Sequence, residues 1–439
     1  MVAKSIEKTK IPLEFPYHSL RVTNPEGLGI DPSVKQHSGY LDISDEDKHF
    51  FYYFVESRND PLTDPVLLWI NGGPGCSSMT GLFFELGPAK ISQGLKPIHN
   101  PHSWNSNASV IFLEQPVGVG YSYSSGSVIS TEASAADMYA FMELFFARFP
   151  HFRSNNFHIS GESYAGHYIP QFAAEILKHP HRTFNLSSVI IGNGITDSLT
   201  QYAWYEPMAC GRGGYHAVLS PEKCASMRAA YPACAQLVQH CYDDPSVFTC
   251  VPADVYCSEH IKGALTQETD LNPYDLRRKC MGDGCYVEGE YITAYMNLDE
   301  VKKALGADTH RVFQSCSNDV SQGFIGSGDR TKPYMQYVAQ VLDAGIPVLL
   351  YAGDKDYQCN WMGNLAWAEK LQYKHHKQFH KAQLRPWYNG EVRAGEVKSY
   401  DKFTYLRVFD AGHMVPFDQP ENSLDMVNRW IAGDYSFGY

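Results

Sequence analysis

The chain has 439 residues, with 36 Lys and Arg against 48 Asp and Glu, a formal net charge of −12. That balance, without any Lys/Arg-rich run, argues against nucleic acid as a partner. The longest apolar runs, such as VLLWI at 66–70, are far too short to cross a bilayer, and the ordinary apolar and aromatic content provides for a large core.

At the start of the chain, MVAKSIEKTK carries no apolar h-region and does not read as a signal peptide. Any leader or zymogen pro-segment is expected outside this sequence. Six short apolar runs follow: Val66 to Ile70, Val110 to Leu113, Phe157 to Ile159, Val189 to Ile191, Val348 to Tyr351 and Leu406 to Phe409. They are continuous rather than alternating, which predicts buried parallel strands. Each ends in polar or glycine-rich residues, namely NGGPG, EQPVGVG, GESYAG, GNGITD, GDKD and DAGHM. Functional groups gather at such carboxyl ends in an open α/β sheet, so the pattern nominates one shared site.

Helices are predicted between the strands. Residues 134–149 are apolar enough for a helix stopped by Pro150, and Ile169, Phe172, Ala173, Ile176 and Leu177 follow one helical face after Ser163. The alternation breaks over 198–309, which reads as an insertion above a core made of 1–197 and 310–439. Eight of the eleven cysteines fall there, from Cys210 to Cys285, in a polar, turn-rich context. Such density predicts disulfides formed in an oxidising compartment. Zinc is the alternative, but a paired C-x2-C arrangement is missing. The triplets Asn107-Ala-Ser and Asn185-Leu-Ser are candidate glycosylation sites of the secretory route. KHHKQFHK at 374–381 reads as a solvated basic face rather than a metal site, and DISDED at 42–47 lacks a full calcium loop.

Ser163 sits at the end of one predicted strand, in GESYA. This departs from G-x-S-x-G only at Ala165, which is still small enough for a tight strand-to-helix turn. A serine hydroxyl is a poor nucleophile until an imidazole takes its proton, and the imidazole needs a carboxylate to fix its tautomer. Asp354 or Asp356 after the fifth run, and His413 after the sixth, supply both in the order Ser, Asp, His expected of an α/β-hydrolase.

NGGPGCSS, GESYAGHYIP, YAGDKDYQCNW and GHMVPFDQP resemble the signatures of the serine carboxypeptidases, and the spacing, cysteines and YEPMAC segment are similar to the fungal vacuolar carboxypeptidase Y group. The resemblance implies an α/β-hydrolase fold with Asp356, the second aspartate of GDKD, in the triad with Ser163 and His413. It implies an oxyanion hole from the backbone N–H groups of Gly73 and Tyr164. It also implies that Asn71, Gly72, Glu85 and Glu162 bind the substrate's free carboxylate. Two carboxyls beside a carboxylate ligand cannot all ionise, so a protonated glutamic acid is expected as a donor.

Matching positions of an S1′ pocket are Thr80, Phe84, Tyr274, Tyr286 and Met414. Those of the S1 pocket are Tyr164, Ile195, Tyr202, Tyr205, Gln358 and Cys359. Gln358 and Arg330 stand where apolar or aromatic residues are common in the family, which implies a less strictly hydrophobic P1 preference. The resemblance further implies bridges Cys76–Cys316, Cys210–Cys224, Cys234–Cys257, Cys241–Cys250 and Cys280–Cys285, with Cys359 free. It calls for no metal or organic cofactor. The expected partners are peptides and proteins with a free carboxyl end, acting on a monomer open to a proteinaceous inhibitor, in a vacuole or outside the cell. Acyl transfer to another acceptor and a catalytically idle partner role are the competing functions; Asn71, Glu85 and Glu162 favour peptide carboxylates.

Overall fold

The computed structural model describes residues 7–9 and 15–438. Most of the first ten residues, and with them the signal-peptide reading, lie outside the described residues. All six apolar runs form neighbouring parallel strands, in the spatial order Ser109–Leu113, Val66–Ile70, Phe157–Ser163, Leu186–Gly194, Val348–Gly353 and Phe403–Val408. Why the runs are continuous is visible in Val66–Ile70. Val66, Leu68 and Ile70 enter one core, while Leu67 and Trp69 enter another on the opposite face. A strand buried on both sides has no reason to alternate in polarity.

The sheet extends beyond these six. His18–Thr23, Gln36–Ile43 and Lys48–Val55 add an antiparallel meander at one edge, and Val392–Tyr400 with Arg385–Asn389 add a hairpin at the other. None of these was among the expected strands. Lys48–Val55 holds the apolar run FFYYFV and was legible; the DISDED segment covers the end of Gln36–Ile43 and the turn that leads to Lys48, with Asp42 bound by Arg21 and His49.

Helix Thr131–Arg148 is capped by Ser130, whose hydroxyl accepts the Ala133 N–H at 3.2 Å, and it stops ahead of Pro150. Together with Ala165–Leu177 it covers the first face through Phe141, Phe145, Ile169 and Phe172. Chain 202–276 packs about a third core, in which Tyr205, Met208, Met227, Val238 and Ile261 meet Tyr357 of the core sheet's loop. Helices Val287–Met296 and Asp299–Leu305 instead join the sheet's second face through Ile292, Tyr295 and Val301.

The five bonded cysteine pairs are those the resemblance implies, and Cys359 is free and buried. The Asn185 sequon is exposed and that at Asn107 is half-buried. In KHHKQFHK, helix His376–Lys381 buries Phe379 and leaves Lys377, His380 and Lys381 exposed.

Directly after strand Ser109–Leu113, Glu114 is fully buried, accepting the Tyr121 N–H at 2.5 Å and the Ser77 hydroxyl. Burial pushes its pKa up to about 8. The folded chain therefore holds this proton more tightly than the unfolded chain, whose glutamate titrates at about 4.3. The contribution is fully present below the unfolded value and is lost as pH rises towards 8. Thermal unfolding followed by circular dichroism at pH 5 and pH 8 is expected to give the lower Tm at pH 8, with a smaller difference in Glu114→Gln. An equal difference in both proteins counts against the assignment.

Candidate active site

Ser163 ends its strand with φ at +63°, a left-handed conformation that a non-glycine residue adopts only when its surroundings compel it. Two glycines make that possible. A Cβ on Gly161 would overlap the Ile70 carbonyl, and one on Gly166 would overlap that of Ile195. The chain turns sharply into helix Ala165–Leu177 and presents the hydroxyl at the carboxyl edge of the sheet.

His413 comes from the loop after Phe403–Val408. Its backbone N–H donates to the Tyr274 carbonyl at 2.7 Å, and Gly412 N–H donates to Asp418 Oδ2, also at 2.7 Å. Its Nδ1 lies 2.7 Å from Asp356 Oδ2, and that oxygen also accepts Asn193 Nδ2 at 2.8 Å. The imidazole is 2% exposed and Asp356 is fully buried. Burial alone would lower the histidine's pKa. The Asp356 carboxylate, its hydrogen bond and Cys359 together outweigh burial and hold the imidazole well above the usual range. Asp354, the other candidate, instead bonds Lys355 at 2.7 Å. Ser163 and His413 line one cavity, so the geometry brings the three residues to one place.

A Cβ on Gly72 would overlap Tyr164 N, so the NGGPG loop lies directly against the turn that follows the serine. Gly73 lines the Ser163 cavity. The Tyr164 ring is fixed from behind: its hydroxyl donates to Asp329 Oδ1 at 2.5 Å, and Asp329 also accepts Thr131 Oγ1 at 2.7 Å and Tyr334 Oη at 2.9 Å.

Asn71 connects the two glutamates. Its Nδ2 donates to Glu85 Oε1 and to Glu162 Oε1, each at 3.1 Å, while its Oδ1 accepts Trp69 Nε1 and Gly81 N–H, each at 2.9 Å. Glu85 and Glu162 are 1% and 2% exposed. Burial pushes both carboxyls up, and the charge of Glu85 pushes Glu162 further, well above the usual range. Among the described residues the Oε2 of each has no hydrogen-bond partner.

Thr80, Phe84, Tyr274, Tyr286 and Met414, the residues expected of an S1′ pocket, all line the Ser163 cavity. The S1 set divides. Tyr164, Ile195, Tyr202 and Tyr205 line a second cavity, but Gln358 lines the first. The Tyr205 hydroxyl holds the Gln358 carbonyl at 2.7 Å, which sets the two residues back to back. Cys359 is buried beneath His413, with its sulfur, the Asp356 carboxylate and a ring nitrogen within 4.8 Å of one another, and burial pushes its thiol up. Among the described residues these three lie close enough to hold a metal ion; Glu206, Cys210 and Cys224 also cluster, but those cysteines are bonded to each other. Asn193, Asp329 and Asp418 were not foreseen. Asn193 stood in view, in the GNGITD that ends a predicted strand.

The serine carboxypeptidase family model matches residues 25–433. The chain belongs to the serine carboxypeptidase family. It is 59% identical to carboxypeptidase Y of Candida albicans over 97% of this chain and 78% of that protein. It is 56% identical to the vacuolar serine-type carboxypeptidase ATG42 of Saccharomyces cerevisiae over 95% and 83%. In structure it is similar to Kex1Δp, a prohormone-processing carboxypeptidase from Saccharomyces cerevisiae, with a TM-score of 0.80, 26% identity and 94% of each chain covered. The fold is the α/β-hydrolase fold with a disulfide-rich insertion, and the protein is a serine carboxypeptidase. Replacing Asp356 with Asn in this carboxypeptidase is expected to leave the fold intact and lower kcat by on the order of 10⁴, through loss of the required imidazole tautomer. Release of the terminal amino acid, followed by an amine-reactive dye, measures it; a loss below tenfold would sink the assignment.

Proposed function

We propose that this carboxypeptidase removes single residues from peptide carboxyl ends through an acyl-enzyme, with broad specificity and a preference for mildly acidic pH. The observation that carries the reading is the Asn71 amide bridging two buried carboxyls, Glu162 being adjacent to Ser163 in the chain. Ser163 Oγ attacks the last peptide carbonyl while His413 takes its proton, and Asp356 holds the resulting imidazolium. The Gly73 and Tyr164 N–H groups receive the oxyanion. His413 then protonates the departing amine, and the free amino acid leaves. Water attacks the ester by the same path and restores the serine.

The free carboxylate of the substrate is held by Asn71, the Gly72 N–H and the Glu85–Glu162 pair while the pair retains a proton. Thr80, Phe84, Tyr274, Tyr286 and Met414 receive the leaving residue. ATG42 is named as vacuolar, and five disulfides fit an oxidising route, so we assign this protein to the vacuole or secretory pathway. There it would carry glycans at Asn107 and Asn185, act as a monomer and meet a proteinaceous inhibitor, with 198–309 as its cap. Among the described residues no helix is long and apolar enough to cross a membrane.

Two titrations run in opposite senses. His413 must be neutral to act as base, so kcat is expected to rise with pH as it loses its proton. The carboxyl pair must be protonated to donate, so KM for peptides is expected to rise as pH climbs from 5 to 8. Steady-state kinetics on an amino-blocked dipeptide separates the two, and Glu162→Gln, a donor at every pH, should flatten KM. A KM already flat in the parent would defeat the proton-sharing account. Release by the parent but not by Ser163→Ala tests the nucleophile.

A further inference from the structure

The second cavity begins at Tyr164, the residue after the nucleophile, and Ile195, whose N–H donates to the Ser163 carbonyl at 2.9 Å. Tyr205 shares its wall with three charged groups, Asp254, Lys262 and Arg330. The Arg330 guanidinium stands 3.6 Å from Asp254, a single loose contact rather than a bidentate pair, and Asp254 also accepts the Ser258 hydroxyl at 3.3 Å. Among the described residues the Lys262 ammonium has neither an ion pair nor a hydrogen bond. Burial and the neighbouring Arg330 push its pKa down to about 8, against the pull of Cys359, Asp254 and Asp356. It is therefore charged at neutral and acidic pH. Two cations face one carboxylate, and both are half-buried. Positive charge that is partly withdrawn from water and exceeds its counter-ions favours an incoming anion.

The Asn71 amide and the S1′ residues place the leaving residue in the first cavity. The residue on the acyl side of the bond then faces the second. We propose that, within its broad range, this carboxypeptidase favours peptides whose penultimate residue is aspartate or glutamate, the P1 carboxylate being bound by Lys262 and Arg330. The inference rests on the function proposed above and names the substrate class of its acyl-side pocket. Lys262 is 68 residues before Arg330 in the chain, and the folded insertion brings the two together.

The test compares kcat/KM at pH 6.5 for amino-blocked dipeptides bearing Glu, Gln or Phe ahead of a terminal leucine. Glutamine matches glutamate in shape and lacks its charge. A charge-assisted contact is expected to favour Glu over Gln by about tenfold. Lys262→Met, and Lys262→Met with Arg330→Met, should bring that ratio towards unity in turn. Calorimetric binding of the Glu and Gln peptides to Ser163→Ala gives the same ratio without turnover. A ratio of one or less in the parent overturns the proposal even if both variants fail to fold, and so does a ratio unaltered in folded variants. Failure to release leucine from any peptide, Phe included, would instead overturn the underlying function, and calorimetry would still judge the anion site.

Discussion

Gly72 lies against the peptide joining Ser163 to Tyr164 so closely that no side chain fits between them. Much of the site depends on that approach. It presses the loop after Val66–Ile70 onto the turn after Phe157–Ser163, two strands that are neighbours in the sheet. The loop is held from its other end by the bond between Cys76 and Cys316 and by Cys76 N–H on the Gly72 carbonyl at 3.1 Å. Ser163 keeps its left-handed backbone because glycines at 161 and 166 let the neighbouring carbonyls close in on both sides.

Within that frame, opposite electrostatic states share one buried space. Asp356 and His413 form a charge-favouring pair, tied at 2.7 Å and supported by Asn193. Glu85 and Glu162 form a charge-disfavouring pair, since removal from water and mutual repulsion both oppose ionisation. The Asn71 amide gives each glutamate one donor, and among the described residues one oxygen on each has no partner. A neutral donor solvates the pair without forcing either member to ionise, as an arginine would.

The insertion contributes a wall rather than the catalytic groups. Its own core closes over Tyr357, directly after Asp356, so the disulfide-linked helices pack against the loop that carries the aspartate. Through Tyr274 it also supplies the carbonyl that holds the His413 N–H and a ring 5.1 Å from the imidazole. One element thus both lines the cavity and aligns the base.

The sequence determined the six parallel strands, because burial on both faces removes polar alternation, and the order of its strand ends nominated Ser163, His413 and either Asp354 or Asp356, the choice of Asp356 coming from family likeness. Family likeness supplied the Asn71–Glu85–Glu162 set and the cysteine pairing. The antiparallel edges escaped that reading: strands such as His18–Thr23 are half-buried and mix polar with apolar residues, so their register with distant partners has no local signature. Tertiary structure alone decided that Gln358 faces the serine's cavity, that Asp329 anchors Tyr164, and that Lys262 and Arg330 line one cavity. Each brings together residues separated by tens to hundreds of positions. Local spacing carries periodicity and turns, whereas which distant side chains share a cavity depends on how the separate cores pack.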